Sequence, residues 1–159
     1  MPRSGRDVPD DSAATDDDGP DGLWRVAAYA VCRRDGDVLV ARASDKTEVE
    51  GKWFLPGGGL RFGEDPCDAV LRELTEETGL VGRDPALLCV LVEEHRRREG
   101  TTVCSVRIVY LVEVDDDRRE LVWERDGTTD EARWVPRGEL QALGAMPYVL
   151  RALELADEK

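Results

Sequence analysis

The segment from Gly57 to Leu80 constrains the fold of this chain more than any other. Asp65 and Pro66 are typical of the first residues of a helix, and Gly79 is typical of the residue after the last turn. Four apolar residues between them recur at helical spacing: Cys67, Val70, Leu71 and Leu74. The spacing predicts a helix over residues 66–78 that buries this apolar stripe.

Three glutamates lie on the opposite face of this helix, where Glu76 and Glu77 follow Glu73 by three and four residues. Neighbouring carboxylates on one face repel each other, and an exposed acidic face is the simplest interpretation. However, carboxylate oxygens are also the ligands that Mg²⁺ prefers. The preceding Gly57–Gly59 allows backbone to approach a ligand closely. Together these features predict a divalent-cation site.

The spacing of this segment resembles that of a known family. It reads Gly58, five residues, Glu64, seven residues, then Arg72-Glu73-Leu74-Thr75-Glu76-Glu77-Thr78-Gly79-Leu80. This is similar to the Nudix box at all nine of its fixed positions over 23 residues, and residues 53–57 resemble its usual lead-in. The chain therefore resembles the Nudix (MutT-like) hydrolases, and the resemblance in element order extends over residues 23–157.

The rest of the chain predicts many strands and few helices. Strands are predicted at 24–31, 38–43, 52–56, 86–93, 102–114 and 131–135, and further helices at 138–143 and 147–156. An Asp-Gly turn joins the first two strands, and residues 95–100 connect a hairpin. This order predicts an α+β fold, and the resemblance implies the Nudix fold, a mixed β-sheet packed between α-helices.

The resemblance implies hydrolysis of a pyrophosphate bond in a nucleoside diphosphate linked to another group, with Mg²⁺ or Mn²⁺ as cofactor. It makes Glu73, Glu76 and Glu77 the metal carboxylates, joined by a carbonyl of Gly58 or Gly59. Arg72 is expected to orient a glutamate. The resemblance also implies that Gly58, Glu64 and Gly79 are structural residues of the box. The general base stays open among Glu76, Glu93, Glu94, Glu120 and Glu124.

Arg107 is the main candidate for substrate binding outside the box. It lies in the predicted strand 102–114, whose even-numbered side chains form an ordinary apolar face and whose odd-numbered ones include Arg107. A charge among apolar residues fits either a phosphate or base contact or a structural ion pair. Arg61 is a second candidate. The four tryptophans are interpreted mostly as core residues, and His95 as a solvated residue at the hairpin tip.

Charge divides the chain into two parts. The whole chain carries a formal net charge of −13, and residues 1–22 contribute seven Asp and two Arg. We interpret 1–22 as a disordered acidic arm and 23–159 as the folded domain. The acid excess disfavours polynucleotides as partners but not small nucleotides, whose phosphates can be met through a metal ion.

Several wider expectations complete this picture. No apolar run is long enough to span a membrane and no secretory signal is present, so we expect a cytoplasmic protein with reduced, buried cysteines. Homodimers are common in the family that it resembles, and Trp24 is a candidate interface residue. The substrate stays open among (d)NTPs, nucleotide sugars, dinucleoside polyphosphates and capped RNA. The alternative function is a nucleotide-sensing binding module without turnover.

Overall fold

The computed structural model describes residues 22–115 and 119–159. The predicted arm therefore lies outside the described residues, except Gly22, which begins the first strand. Two four-stranded sheets form the framework. In the first, the order is β5 (Gly57–Gly59), β1 (Gly22–Val31), β7 (Thr102–Val114) and β6 (Gly82–Arg96). The β1–β7 pair is parallel and the other two pairs are antiparallel, so this sheet is mixed as predicted.

The second sheet centres on β3 (Asp37–Ala43), which pairs antiparallel with its three neighbours. They are β2 (Arg33–Arg34), β4 (Trp53–Phe54) and β8 (Thr129–Pro136). The predicted Asp-Gly turn joins β2 to β3, with Asp35 and Gly36 both at positive φ. Two such residues in sequence are the requirement of a tight type I′ turn.

Helices cover both faces of the first sheet, because successive residues of a strand point to opposite faces. Even-numbered residues of β1, such as Ala28 and Ala30, share a core with α1 (Pro66–Thr78). Odd-numbered residues, such as Tyr29, share another core with α3 (Pro147–Asp157). A short 3₁₀ turn (Arg137–Glu139) and α2 (Leu140–Leu143) connect β8 to α3. This arrangement confirms the predicted α+β sandwich.

The triglycine segment differs from the prediction. The expected strand over 52–56 is only the two residues of β4, whereas Gly57–Gly59 itself forms a strand, β5, paired with β1. A Cβ at position 57 would lie 2.2 Å from the backbone oxygen of Ala28. Glycine is thus required here by the close approach of two backbones rather than by flexibility.

The burial of α1 and β7 also corrects the sequence analysis. In α1, Val70 and Leu74 are buried as predicted, but Cys67 and Leu71 are only partly so. In β7 the odd-numbered residues are the more deeply buried ones, and the even-numbered face is an ordinary core only near its end, at Tyr110 and Val112. The reason is that α1 covers only that end of the even-numbered face.

The burial of the tryptophan and cysteine side chains was predicted less well. Trp53 is buried, Trp123 and Trp134 are partly exposed, and the side chain of Trp24 is 74% exposed. All four cysteines are free thiols as predicted, but only Cys32 is buried. In the described part of the chain, no helix combines the length and apolarity that crossing a membrane needs.

Candidate functional site

Helix α1 presents its glutamates to the triglycine strand. Its first turn is fixed by Asp65, which accepts a hydrogen bond from Cys67 N at 2.8 Å, and its end by Gly79 at φ 75°. Glu77 Oε2 accepts a hydrogen bond from Gly57 N at 3.0 Å. A Cβ at position 58 would lie 2.7 Å from Glu73 Oε1. The glycines therefore leave room for two carboxylates against the backbone of β5.

Arg72 joins three carboxylates through one guanidinium. Its Nε and Nη2 each donate to Glu64 at 2.8 Å, which is the bidentate geometry that arginine favours. Its Nη1 donates to Glu73 at 3.0 Å and to Glu76 at 3.2 Å. Glu64 also accepts from Arg61 N, so it braces the loop after β5 against the helix. Arg72 thereby fixes the orientation of glutamates on its own helix.

The carboxylates of this cluster have shifted pKa values. Burial raises the pKa of Glu77 to about 8, with repulsion from Glu73 and Glu76 adding to it and hydrogen bonds from Gly57 and Thr129 opposing it. Burial and the neighbouring carboxylates also raise the pKa of Glu73, against the effect of Arg72. The Arg72 hydrogen bonds lower the pKa of Glu64 to about 2. Both raised pKa values arise mainly from burial, with a smaller contribution from the neighbouring carboxylates.

The three predicted metal glutamates are not gathered at one point. Glu73 and Glu77 line a large cavity, whereas Glu76 lines a neighbouring cleft together with Arg72 and Glu124. Across residues 22–115 and 119–159, no three Asp, Glu, His or Cys side chains already converge as a metal-ligand group. The donors nevertheless fit a hard divalent cation, because the carboxylates of Glu73 and Glu77 lie beside the glycine strand at the wall of an open cavity.

The large cavity has a volume of about 860 Å³, the size of a small-molecule site. One end is formed by Gly57–Gly59 with Glu73 and Glu77. Part of its wall is apolar and is formed by Tyr29, Phe54, Leu55 and Met146 among others. The other end is formed by the β6–β7 hairpin, which contributes His95 and the arginines at 96–98. A ligand with both a polar phosphate part and a flat organic part matches this lining.

Arg107 lies in this cavity and forms the structural ion pair that its sequence context allowed, whereas its contact with a phosphate or base stays a prediction. The residue is 6% exposed, its Nη1 donates to Glu93 at 2.7 Å, and its guanidinium carbon lies 4.5 Å from the ring centre of Tyr148. Neither Arg107 Nε nor the hydroxyl of the adjacent Ser105 has a hydrogen-bond partner among the described residues. Buried donors of this kind are uncommon and favour a polar ligand or water nearby.

Arg25 was missed by the sequence analysis. It lines the cavity beside Gly59, and its Nη1 donates to Tyr29 Oη at 3.1 Å. Within the described ranges it forms no ion pair with a carboxylate, unlike Arg107. The argument used for Arg107 would have found it, because Arg25 is also a charge among apolar residues of a strand, and the parallel pairing sets it opposite Ser105. Tyr148 had no such signal, since it packs against Arg107 from α3, which is distant in the sequence.

The remaining candidates are distributed around the site. Arg61 is exposed, lies outside the cavity lining, and has its Nη2 at 3.7 Å from Glu76. Of the five residues considered as general base, Glu93 lines the large cavity and Glu76 and Glu124 line the neighbouring cleft. Glu94 and Glu120 line neither.

The chain is similar to known proteins in both sequence and fold. The sequence profile described as the NUDIX domain matches residues 23–153. "Putative 8-oxo-dGTP diphosphatase 2" of Mycobacterium tuberculosis (strain ATCC 25618 / H37Rv) is 35% identical over 117 residues, which cover 72% of this chain and 82% of that protein. Diphosphoinositol polyphosphate phosphohydrolase 3-alpha of Mus musculus is 32% identical over 100 residues, covering 62% of this chain but only 59% of that protein.

A solved structure gives the same result for the fold. The MutT NUDIX hydrolase of Burkholderia pseudomallei aligns with a TM-score of 0.65 and 25% identity, over 84% of this chain and 98% of that one. The chain thus spans most of this structure, but less than two thirds of the length of the mouse relative.

Proposed function

The chain belongs to the Nudix family, and from this premise we propose that it is a divalent-metal-dependent hydrolase of a nucleoside diphosphate derivative. The reaction we propose is attack of water on a pyrophosphate linkage, as in a (d)NTP or a related nucleotide. The observation that carries the proposal is the pairing, in one cavity, of two repelling glutamates at the triglycine strand with apolar and arginine-lined walls.

The residues proposed to hold the metal are Glu73, Glu76 and Glu77, with the carbonyl of Gly58. Nudix hydrolases generally use divalent metals, and Mg²⁺ or Mn²⁺ matches an all-oxygen donor set. When bound, such an ion would polarise the phosphoryl oxygens and lower the pKa of the attacking water. Glu76 would need to turn from the neighbouring cleft to join Glu73 and Glu77.

Arg72 is proposed to be the positioning residue of this set. Its guanidinium already holds Glu73 and Glu76 through one nitrogen, Nη1, while Nε and Nη2 are anchored on Glu64. A planar fork with five donors can bind all three carboxylates at fixed angles, which a lysine cannot do. We infer that Glu64 acts by holding Arg72 in place. Gly79 is inferred to act only by ending the helix.

Arg107 and Arg25 are proposed to bind the substrate. Arg107 lies between Glu93 and the Tyr148 ring and keeps one donor unused, and Arg25 lies near Gly59 without a carboxylate partner in the described residues. Either guanidinium can donate two parallel hydrogen bonds to a phosphate. The apolar wall formed by Phe54, Leu55 and Met146 suits the organic part of the nucleotide. Arg61 has less support, because it lies outside the cavity lining.

Glu93 is the candidate for the general base that has most support, because it lines the cavity while its side chain stays 46% exposed. A general base has to lie within hydrogen-bond distance of the attacking water in the bound complex.

A panel of substrates tests the proposed function. Hydrolysis of dGTP, 8-oxo-dGTP, ADP-ribose, nucleotide sugars, dinucleoside polyphosphates, a diphosphoinositol polyphosphate and 5′-triphosphate RNA should be compared by kcat/KM with Mg²⁺ or Mn²⁺. We expect metal-dependent release of phosphate, pyrophosphate or a monophosphate from at least one small nucleotide. Tight nucleotide binding without turnover of any compound would instead indicate a sensing module and contradict the proposal.

A further inference from the structure

The cavity has a positively charged end that the proposed reaction does not use. It lies at the tip of the β6–β7 hairpin, and the glutamates proposed to bind the metal line the other end. Four successive residues of the hairpin line it: His95, Arg96, Arg97 and Arg98. We call these four residues the hairpin cluster. Adjacent guanidinium groups repel one another, so this end of the cavity favours an anion.

No carboxylate neutralises the arginines of the hairpin cluster. Across residues 22–115 and 119–159, none of the three guanidinium groups forms an ion pair with an aspartate or a glutamate. Arg96 Nε donates instead to the carbonyl of Gly100 at 3.1 Å. Arg107, in the same cavity, is paired with Glu93. The chain carries 35 acidic against 22 basic residues, so a shortage of carboxylates does not explain the difference.

Arg97 is the member of the hairpin cluster that is best placed to meet a ligand. It is half-buried, whereas Arg96 and Arg98 are exposed. Its backbone is fixed, because its N–H donates to Thr101 O and its carbonyl accepts from Gly100 N, both at 2.9 Å. Its guanidinium has no hydrogen-bond partner in the part of the chain that the structure describes. All five donors of this side chain are therefore available to a bound molecule.

Arg98 holds the hairpin tip against the loop that follows β3. Its N–H donates to Glu48 Oε1 at 3.3 Å, and its Nη2 donates to the carbonyl of Glu48 at 3.5 Å. Glu48 and Glu99 also line this end of the cavity. Three arginines against two glutamates leave a net positive charge here, although the whole chain has a net charge of −13.

The two ends of the cavity are further apart than the phosphates of one triphosphate chain. Gly59 pairs with Ala27, and Ala27 pairs with Arg107, whereas His95 pairs with Val103. Four residues of β7 separate Arg107 from Val103, so these two rows lie about 13 Å apart along the strand. A ligand that reaches both rows needs a ring between two separate phosphate groups.

We propose that the hairpin cluster binds a second phosphate group of the substrate, so that the preferred substrate carries phosphate on both sides of a sugar or polyol ring. This inference rests on the proposed function, because it takes the scissile pyrophosphate to lie at Glu73 and Glu77. Guanidinium groups bind phosphate through charge-assisted hydrogen bonds. Two kinds of compound share this chemistry: a nucleotide with phosphate at its 3′ position, and a polyphosphorylated inositol.

Ser105 supplies a donor between the two ends. It pairs with Arg25 on one side and with Glu93 on the other, and lies midway between Val103 and Arg107 on β7. Its hydroxyl is buried and has no hydrogen-bond partner among the described residues. A hydroxyl at this position suits the polar ring that would lie between the two phosphate groups.

An uncharged nucleobase fits the hairpin cluster less well than a phosphate does. It would leave three guanidinium charges without an anion, since a base supplies only neutral acceptors. The apolar wall that includes Phe54, Leu55 and Met146 is available for a base elsewhere in the same cavity. The hairpin cluster is therefore assigned to a phosphate.

The test compares GDP with guanosine 3′,5′-bis(diphosphate), which differs from it only by the second diphosphate. A diphosphoinositol polyphosphate is the third compound, and it identifies a polyol as the carrier of the second phosphate. Each compound is measured with Mg²⁺, through KM where it is hydrolysed and by calorimetric titration where it is bound without turnover. We expect the wild type to bind at least one of the two phosphate-rich compounds about tenfold or more tightly than GDP.

Arg97→Ala should remove most of this preference and change the affinity for GDP by less than about twofold. The matched control is Arg151→Ala, because Arg151 is exposed on α3 and lies outside the cavity lining. This control should keep the wild-type preference. Circular dichroism shows whether each variant is folded. If Arg97→Ala is not, Arg97→Gln removes the charge, keeps most of the side-chain length and is expected to have the same effect.

Two results would overturn the proposal: a wild type that binds neither phosphate-rich compound more tightly than GDP, or a folded Arg97 variant that keeps the wild-type preference. Failure of the proposed function gives a different result. In that case no compound is hydrolysed with Mg²⁺, but binding of a phosphate-rich compound still depends on Arg97.

Discussion

At the scale of single residues, the site holds several carboxyl groups close together and partly buried, although burial and like-charge repulsion both disfavour their charged form. Glu73 and Glu77 are neighbours on one helix face, and burial raises the pKa of both. Arg72 compensates Glu64, Glu73 and Glu76, but Glu77 is hydrogen-bonded instead to Gly57. Charge excess at a site that must bind a cation is a common source of reduced stability in the unbound protein.

The effect on stability can be predicted for Glu77→Gln. Because the folded-state pKa of Glu77 is about 8 and its ordinary value is 4.5, the folded state retains a proton that the unfolded chain releases. The resulting contribution to stability is fully present below pH 4.5 and is lost as the pH rises through 8. In EDTA at pH 9, the glutamine variant should therefore be more stable than the wild type, by roughly 1–3 kcal/mol.

Thermal unfolding at pH 4 and pH 9 measures this difference. The two proteins should unfold at similar temperatures at the lower pH and separate at the higher one, with the variant above the wild type. Added Mg²⁺ should raise the unfolding temperature of the wild type much more than that of the variant. Equal pH dependence of the two proteins in EDTA would show that Glu77 is not the group responsible.

Glu93 gives a second prediction at this scale. If Glu93 accepts the proton of the attacking water, Glu93→Gln should lower kcat by about 100-fold with little change in KM. The neighbouring Glu94→Gln is the matched control, since Glu94 lies outside the cavity lining and this variant should keep the wild-type kcat. A Glu93→Gln variant with a raised KM and an unchanged kcat would reduce Glu93 to a structural partner of Arg107.

At the scale of elements, the triglycine strand and α1 form one unit. β5 pairs with β1, Glu73 occupies the space that a side chain at Gly58 would need, and Gly57 N donates to Glu77. The two glycines differ in what surrounds them. A Cβ at Gly57 would meet backbone atoms of Ala28 and Tyr29, whereas one at Gly58 would meet only the end of the Glu73 side chain.

This difference predicts opposite outcomes for two alanine variants. Gly58→Ala should unfold within about 1 kcal/mol of the wild type, because Glu73 can rotate away, but it should bind Mg²⁺ more weakly and hydrolyse substrate more slowly. Gly57→Ala should be destabilised by more than about 3 kcal/mol, because a backbone has to move. Urea unfolding and Mg²⁺ titration of both variants check this. Unchanged Mg²⁺ affinity in Gly58→Ala would argue against Glu73 as a ligand.

The elements themselves were largely predictable from the sequence. Capping at Asp65, Pro66 and Gly79 located α1 to the residue, since these signals depend only on neighbours in the chain. The triglycine strand was not predictable, because it forms through close approach to β1, which is a long-range contact. The core face of β7 was predicted only in part, because Tyr110 and Val112 are buried as expected but alternation does not reveal how much of a face a distant helix covers.

At the scale of the whole molecule, the net charge and the cavity have to be considered together. The chain is strongly acidic, yet the sheet and the β6–β7 hairpin direct several arginines into the cavity. The spacing of the box identified the glutamates, but the positive part of the site is assembled from β1, β7 and the hairpin. Only the fold places Arg25 and Arg107 on the same cavity-facing side of adjacent strands.

Arg25 provides the prediction at this scale. Because Arg25 lines the cavity and has no carboxylate partner in the described residues, Arg25→Ala should raise KM for the best substrate by about tenfold with little change in unfolding temperature. Arg61→Ala is the control: Arg61 is exposed outside the cavity lining, and its loss should change KM by less than about twofold. Steady-state kinetics of both variants measure this difference. A larger increase in KM for Arg61→Ala than for Arg25→Ala would contradict Arg25 as the substrate-binding residue.

The central claim is that the Glu73–Glu77 end of the cavity carries a metal-dependent hydrolase reaction. The most direct test is the initial rate of hydrolysis of the best substrate from the panel, measured against Mg²⁺ concentration for the wild type and Glu77→Gln. We expect a wild-type rate that disappears in EDTA, and a folded variant that is slower by at least about 100-fold at saturating Mg²⁺. A Glu77→Gln variant that keeps full Mg²⁺-dependent turnover would contradict the assignment of Glu77 and the metal to this reaction.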